Sequence, residues 1–336
     1  MASSGYEYDE ANVHVVIAPA EPFEVQVSGA NDDRDVCVVQ AGDSRTRSEH
    51  LVVAQTSLGG SQLINESASG GLGVKDPVKL PGGFSPLSEY GFSPDGWPLR
   101  IVCEKNGSVM ALIPAGPTLV GSRHGPPECQ PEWSITLEHY YMDITEVTVG
   151  DYLAYRQSQR ESKKRVPQPP LNESAPADYP VLGVTWMDAQ AYLEWLGKDL
   201  PTEVEYEKAA RGPDGWSAPW GNGPPSWKQP RDLQTITEVA FFPTDCSIYG
   251  IFDLAGNARE WVADFYSPTA HQEAAVMTQT RHLPQWSGPK KPHQGLQRVV
   301  KGNGPGWHAW FRQGYEMAGR HPDVGFRGVL RLSTSQ

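Results

Sequence analysis

The feature that most constrains how this chain folds is a pair of helix-start signals set close together. In Pro180 to Gly197 (PVLGVTWMDAQAYLEWLG), Thr185 is followed three residues later by Asp188, and in Leu200 to Gly212 (LPTEVEYEKAARG), Thr202 is followed by Glu205 directly after Pro201. A threonine and an acid at that spacing can each accept the other's backbone N–H, so both places predict helix N-termini. Ala189, Tyr192, Leu193 and Leu196 then recur at helical spacing, and Glu207 with Arg211 forms an i, i+4 pair. Thr148 predicts a third start, for a helix through Gln157 with Tyr152 and Tyr155 on one face. Aromatic residues spaced in this way pack a core before they serve a cofactor.

Two further segments follow in order, Tyr249 to Trp261 (YGIFDLAGNAREW) and Gly325 to Leu330 (GFRGVL). Together the four resemble the formylglycine-generating enzyme family, also called the sulfatase-modifying-factor family, over about Gly107 to Leu332. The resemblance implies an α+β formylglycine-generating-enzyme-like domain, related in architecture to C-type lectins, with little regular secondary structure. Composition agrees, since 34 Gly and 30 Pro favour loops and turns while 11 Trp, 13 Tyr and 9 Phe supply a packed interior.

The organisation expected is a small acidic β-rich domain with a connection over residues 1–104, then the formylglycine-generating-enzyme-like domain over 105–336. Short strands are predicted at Asn12 to Ala18, Phe23 to Val27, Val36 to Gln40 and Leu51 to Gln55. Residues 56–98 are rich in Gly, Ser and Pro, which places the boundary near residues 95–105. Further on, Val109 to Pro114 and Ser134 to Ile144 read as strands, and residues 268–297 as a long polar loop.

The net charge is −12, and residues 1–104 carry most of it, with 6 Lys+Arg against 15 Asp+Glu. With no basic stripe, nucleic acid is not an expected partner. No apolar run approaches the roughly 20 residues that cross a bilayer. The first residues, MASSGYEYDE, lack the basic and apolar regions of a secretory leader. The compartment is left open, with an extracytoplasmic one favoured if a leader preceded this sequence. Cys37, Cys103, Cys129 and Cys246 are widely spaced without a zinc pattern, which fits buried thiols and disulfides equally.

Chemistry is concentrated in two places. In DLAGNARE, two carboxylates seven residues apart with a glycine between them can surround a hard cation, or can simply brace a turn with Glu260 on a nearby arginine. The family resemblance implies calcium here, held by the side chains of Asp253 and Glu260 and the carbonyls of Gly256 and Ala258. The family's copper is held by two cysteines near the C-terminal end, because soft thiolates select Cu(I). Gly302 to Arg320 (GNGPGWHAWFRQGYEMAGR) has no cysteine, so copper is not expected. A related iron-dependent branch uses three histidines on a helical domain, and no His-x-x-x-His occurs in this chain.

What that segment offers instead is a candidate ligand surface of Trp307, His308, Trp310, Tyr315 and Glu316, with Arg312 and His321 at its rim. The reading that follows is a catalytically degenerate binding module, stiffened by calcium, for a peptide, glycan or protein partner. The alternative is a metal-dependent oxidoreductase of the wider family using His308, Glu316 and His321.

Overall fold

In the computed structural model of the chain, the residues described are Val38–Ala41, His50–Val53 and 77–332, apart from 163–174, 281–285, 287 and 294. The chain divides into two units, Met1–Leu72 and Gly73–Gln336. In the first, strands β1 (Val38–Ala41) and β2 (His50–Val53) pair antiparallel, with Val38 opposite Val53. The strands predicted at Asn12 to Ala18 and Phe23 to Val27 lie outside the described residues.

The second unit begins upstream of the expected boundary near residues 95–105. The reason is pairing: β3 (Phe84–Pro86) and β4 (Arg100–Cys103) join β5 (Val109–Ile113), β8 (Tyr140–Asp143) and β13 (Val329–Arg331) in one sheet, in the order β13-β8-β5-β4-β3. Between β5 and β8, β6 (Gly116–Val120) and β7 (Trp133–Leu137) form a separate antiparallel pair. The single stretch predicted over Ser134 to Ile144 is therefore two strands in two sheets.

Helices α1 (Val149–Glu161), α2 (Trp186–Leu196) and α3 (Glu203–Arg211) follow. Both predicted capping boxes form: Thr185 Oγ1 accepts from Asp188 N at 3.1 Å while Asp188 Oδ2 accepts from Thr185 N at 3.0 Å, and Thr202 pairs with Glu205 in the same way. Gly197 ends α2 at φ 75°, a left-handed position that suits glycine. Then come β9 (Arg259–Phe265), α4 (Ala270–Thr280), β10 (Gln297–Lys301), β11 (Gln313–Glu316) and β12 (Val324–Gly325). A second sheet has the order β11-β10-β9-β12, with β12 parallel to β9. Helix α4 corrects the predicted loop over 268–297. Its polar sequence hides the periodicity, and Thr269 Oγ1 donating to Glu273 at 2.7 Å helps to start it.

Strand alternation divides the interior in two. From β5, Met110 and Leu112 face one core with Tyr152, Tyr192, Leu193, Trp261 and Phe326, whereas Ala111 and Ile113 face the other with Tyr140, Val204, Tyr206, Val262 and Val299. The adjacent pairs Trp261/Val262 and Val300/Val299 split the same way, so β9 and β10 run between the cores and are buried on both sides. The aromatic face of α2 is core, as its spacing predicts: Tyr192 stacks on Tyr152 at 5.5 Å and meets Phe326 edge-on at 5.5 Å.

Thr185→Ala removes the acceptor for the α2 start and should lower unfolding free energy by about 1 kcal/mol, read in urea as a lower midpoint with an unchanged slope.

Candidate functional site

The loop from Asp253 to Glu260 leads directly into β9, at the seam between the cores. Asp253 and Asn257 both hold a left-handed backbone, at φ 61° each, which side chains able to bond locally tolerate best. Their side chains reach outward to a neighbouring segment. Asp253 Oδ2 accepts from Ala240 N at 2.6 Å, and Asn257 Oδ1 accepts from Thr237 N at 2.9 Å. From the other side, Asn303 Nδ2 donates to the Asn257 carbonyl at 2.9 Å and Asn303 N donates to the Ala255 carbonyl at 3.0 Å. The loop is thus tied to the start of the C-terminal segment.

The acids of this loop have arginine partners. Arg327, from GFRGVL, grips both oxygens of Glu260 at 2.7 Å and lies 3.8 Å from Glu146, while Arg231 pairs with Asp245 at 2.9 Å and lies 3.6 Å from Asp253. All six side chains are fully buried. Four carboxylates against two guanidinium groups leave a formal charge of −2. Burial, then the neighbouring Asp245, pushes Asp253 up to about 7, and burial with repulsion from Asp253 raises Glu146 well above the carboxylate range. Asp253 Oδ1 and Glu146 Oε2 are buried and make no hydrogen bond within the protein.

One divalent cation would bring the cluster to neutrality, and the two orphaned oxygens are hard donors of the right kind. The calcium expected from the family therefore fits the charge and the chemistry of this place. Of the four expected ligands, Asp253 has an oxygen to give, whereas Glu260 is shared with Arg327. Glu146 is a further candidate donor, and nothing in its sequence surroundings marks it as one.

A second ionic cluster lies beneath the cysteine-free segment. Arg312 is buried and bidentate on Glu203, at 2.6 and 3.0 Å, and donates to the Ser267 carbonyl at 2.8 Å. Lys301 Nζ lies 2.9 Å from Glu207, which also takes Arg211 at 2.7 Å and Gly121 N at 2.9 Å. His271 Nε2 is 3.2 Å from Glu203. Burial alone would raise Glu203 and Glu207, but Arg312 and His271 hold the first, and Lys301 and Arg211 the second, below the usual carboxylate range. Glu203, Glu207 and His271 bring one ligand atom each within 4.8 Å of one another, a spacing that could hold a metal. Here Lys301, Arg312 and Arg211 set three positive charges against the two carboxylates, so the cluster has no negative surplus to offer a metal ion. Three of the four cysteines can be placed: Cys103 and Cys129 are buried thiols, the second pushed up to about 11 by burial, and Cys246 Sγ lies 3.5 Å from the Ser247 carbonyl.

The candidate ligand residues fall into separate neighbourhoods. Trp307 packs edge-on against Trp227 at 5.2 Å; His308 stacks on Trp310 at 4.5 Å; Tyr315 and His321 lie 4.5 Å apart and both meet Trp261. Trp307, His308, Trp310, Tyr315 and His321 are half-buried and Glu316 is exposed. Arg312 does not stand at a rim: its side chain is wholly inside, because Glu203 and two carbonyls satisfy it there. The mixed Trp, Arg and Gly composition of the segment could not show that inward turn. His308 and His321 do not converge on a common centre, since each is committed to different rings.

Near the second cluster, burial and then repulsion from Glu203 push Asp264 up to about 7, while its Oδ2 accepts from Glu203 N at 2.8 Å. The folded value lies above the unfolded one, so this group's contribution is full below about pH 4 and is lost as pH rises through 7. Asp264→Asn should flatten that loss, so that its melting temperature relative to wild type rises from pH 5 to pH 8, as followed by calorimetry.

Comparison with known proteins agrees with this architecture. Residues 101–332, more than half of the chain, match the sulfatase-modifying factor enzyme 1-like domain. A serine/threonine-protein kinase pkn1 from Chlamydia caviae is 32% identical over 214 residues, which cover 57% of this chain and 32% of that protein. A formylglycine-generating enzyme from Thermomonospora curvata is 35% identical over 43% of this chain and 50% of its own length. An inactive Cα-formylglycine-generating enzyme 2 from Bos taurus is 39% identical over 30% of this chain and 37% of its own. The chain thus spans between about a third and a half of the curated relatives it matches. Among solved structures, PvdO from Pseudomonas aeruginosa shares the fold, with a TM-score of 0.53 at 19% identity over 68% of this chain and 96% of that one. The matched domain, the ordered motifs and the shared fold lead to one conclusion: this chain belongs to the sulfatase-modifying factor family, that of the formylglycine-generating enzymes.

Proposed function

We propose that this chain is a catalytically degenerate formylglycine-generating-enzyme-like protein that works as a binding module for a peptide, glycan or protein ligand. One observation carries the reading. The segment Gly302 to Arg320, where the family's copper-binding cysteines are expected, contains none, and Arg312 within it is locked into Glu203. A thiolate pair is the chemistry that selects Cu(I). The family includes proteins named as active and as inactive, so family membership alone does not settle the activity.

Ligand recognition is assigned to the partly exposed aromatic residues Trp307, His308 and Trp310, with Tyr315, Glu316 and His321 forming a second face. Rings of this kind bury large area at small entropic cost. Asp253 and Glu260, with the carbonyls of Gly256 and Ala258, would hold calcium, which would supply two positive charges to the surplus there. The chain's own part is to hold the loop in shape: Arg327 fixes Glu260, Asn303 ties the loop to the C-terminal segment, and Ala240 N orients Asp253. An oxidoreductase centred on His308, Glu316 and His321 gains no support from the geometry, because the two imidazoles belong to different ring clusters.

A sulfatase-type cysteine peptide incubated with the protein, oxygen, copper and reductant should show no formylglycine product by mass spectrometry. Turnover above a control without protein would overturn the degenerate reading.

A further inference from the structure

The segment from Gly221 to Phe241 runs over the surface with many exposed residues, yet Arg231 turns inward from it and its side chain is fully buried. Its guanidinium lies 4.3 Å from the Phe242 ring, 4.9 Å from Trp227 and 5.1 Å from Trp307. One nitrogen donates to Asp245 Oδ2 at 2.9 Å, and another lies 3.6 Å from Asp253 Oδ1. Gly256 forms the floor, where a Cβ would stand only 2.3 Å from the guanidinium. Three aromatic faces, two carboxylates and a bare backbone are therefore gathered around one planar cation from four parts of the chain.

This chemistry is selective. A guanidinium is planar, weakly hydrated and able to stack on rings while pairing with a carboxylate, whereas an ammonium keeps its water more tightly. Arg231 fills the place incompletely: its Nε and one terminal nitrogen make no hydrogen bond within the protein, and neither does Asp253 Oδ1. The tether to residue 231 holds donor and acceptor 3.6 Å apart, a gap that an untethered guanidinium could close.

We propose that Trp227, Phe242, Trp307, Asp245 and Asp253 form a binding site for guanidinium groups, filled in cis by Arg231, which accepts an alkylguanidinium or the arginine of another chain when Arg231 is withdrawn. In this chain the site acts as a latch. It pins the Gly221 to Phe241 segment over Trp307, helped by Thr237 N donating to the Asn257 side chain and Ala240 N donating to the Asp253 side chain. The site shares Asp253 with the calcium proposed for the loop, so the titration is run both with calcium and with chelator.

The test uses the full chain carrying Arg231→Ala, titrated with ethylguanidinium and, as a charge control, ethylammonium, each in excess calcium and in chelator. Melting temperature and tryptophan fluorescence are read together. The variant should melt below wild type, and millimolar ethylguanidinium should restore most of that loss saturably, at a concentration about tenfold below any effect of ethylammonium. Wild type, with its site filled, should gain nothing, and Asp245→Asn added to the variant should abolish the recovery. If Arg231→Ala does not fold, Arg231→Gln carries the same titration. No saturable response to ethylguanidinium in either variant, an equal response to ethylammonium, or an equal gain in wild type would each overturn the assignment.

Discussion

The bidentate pair of Glu260 and Arg327 is the interaction on which the rest of this domain depends. Glu260 is the second residue of β9, the strand that separates the two cores, and Arg327 sits where the chain passes from β12 to β13, the last strand of the larger sheet. A buried guanidinium left without its carboxylate, or the reverse, would cost about 3 to 5 kcal/mol, so the pair fixes how the two sheets approach one another. The Tyr206 hydroxyl on α3 donates to the Leu254 carbonyl at 3.0 Å and lies 3.3 Å from Glu260 Oε1, which brings the third helix into the same junction.

From that junction the interior is organised by charge as much as by apolar packing. The cluster around Glu203 and Glu207 sets three cations, Arg312, Lys301 and Arg211, against two carboxylates, so it has no negative surplus. The cluster around Asp253 is not matched: Glu146, Asp245, Asp253 and Glu260 outnumber Arg231 and Arg327 by two. The same fold therefore has one buried ionic centre without a negative surplus and one with a formal surplus of two negative charges. Buried charge left uncompensated shifts its protonation or recruits a partner, and the elevated Asp253 and Glu146 are in that condition.

Much of the framework was legible in the sequence. Thr185/Asp188 and Thr202/Glu205 announce their helices because capping is local chemistry, and Val109 to Pro114 announces β5 because a strand buried on both faces is nearly all apolar. The Asp253 to Glu260 loop was legible as an acidic turn, and the alternative of Glu260 meeting an arginine is realised by Arg327. Two features were not legible. The inward turn of Arg312 and Arg231 depends on where distant carboxylates stand after folding, and a charged residue in a Trp-rich or Pro-rich segment reads as surface. The start of the second unit was hidden as well, since β3 is only three residues long and gains its identity by pairing with β4.

Elemental analysis of the purified full chain tests the contrast between the two ionic centres, one without a negative surplus and one whose formal surplus a divalent cation would offset. After dialysis against trace calcium, copper and iron, it should retain about one calcium per chain, enough to offset the formal surplus of two negative charges, and neither copper nor iron in stoichiometric amount. Stoichiometric copper or iron, or no calcium with melting unchanged by chelator, would contradict it.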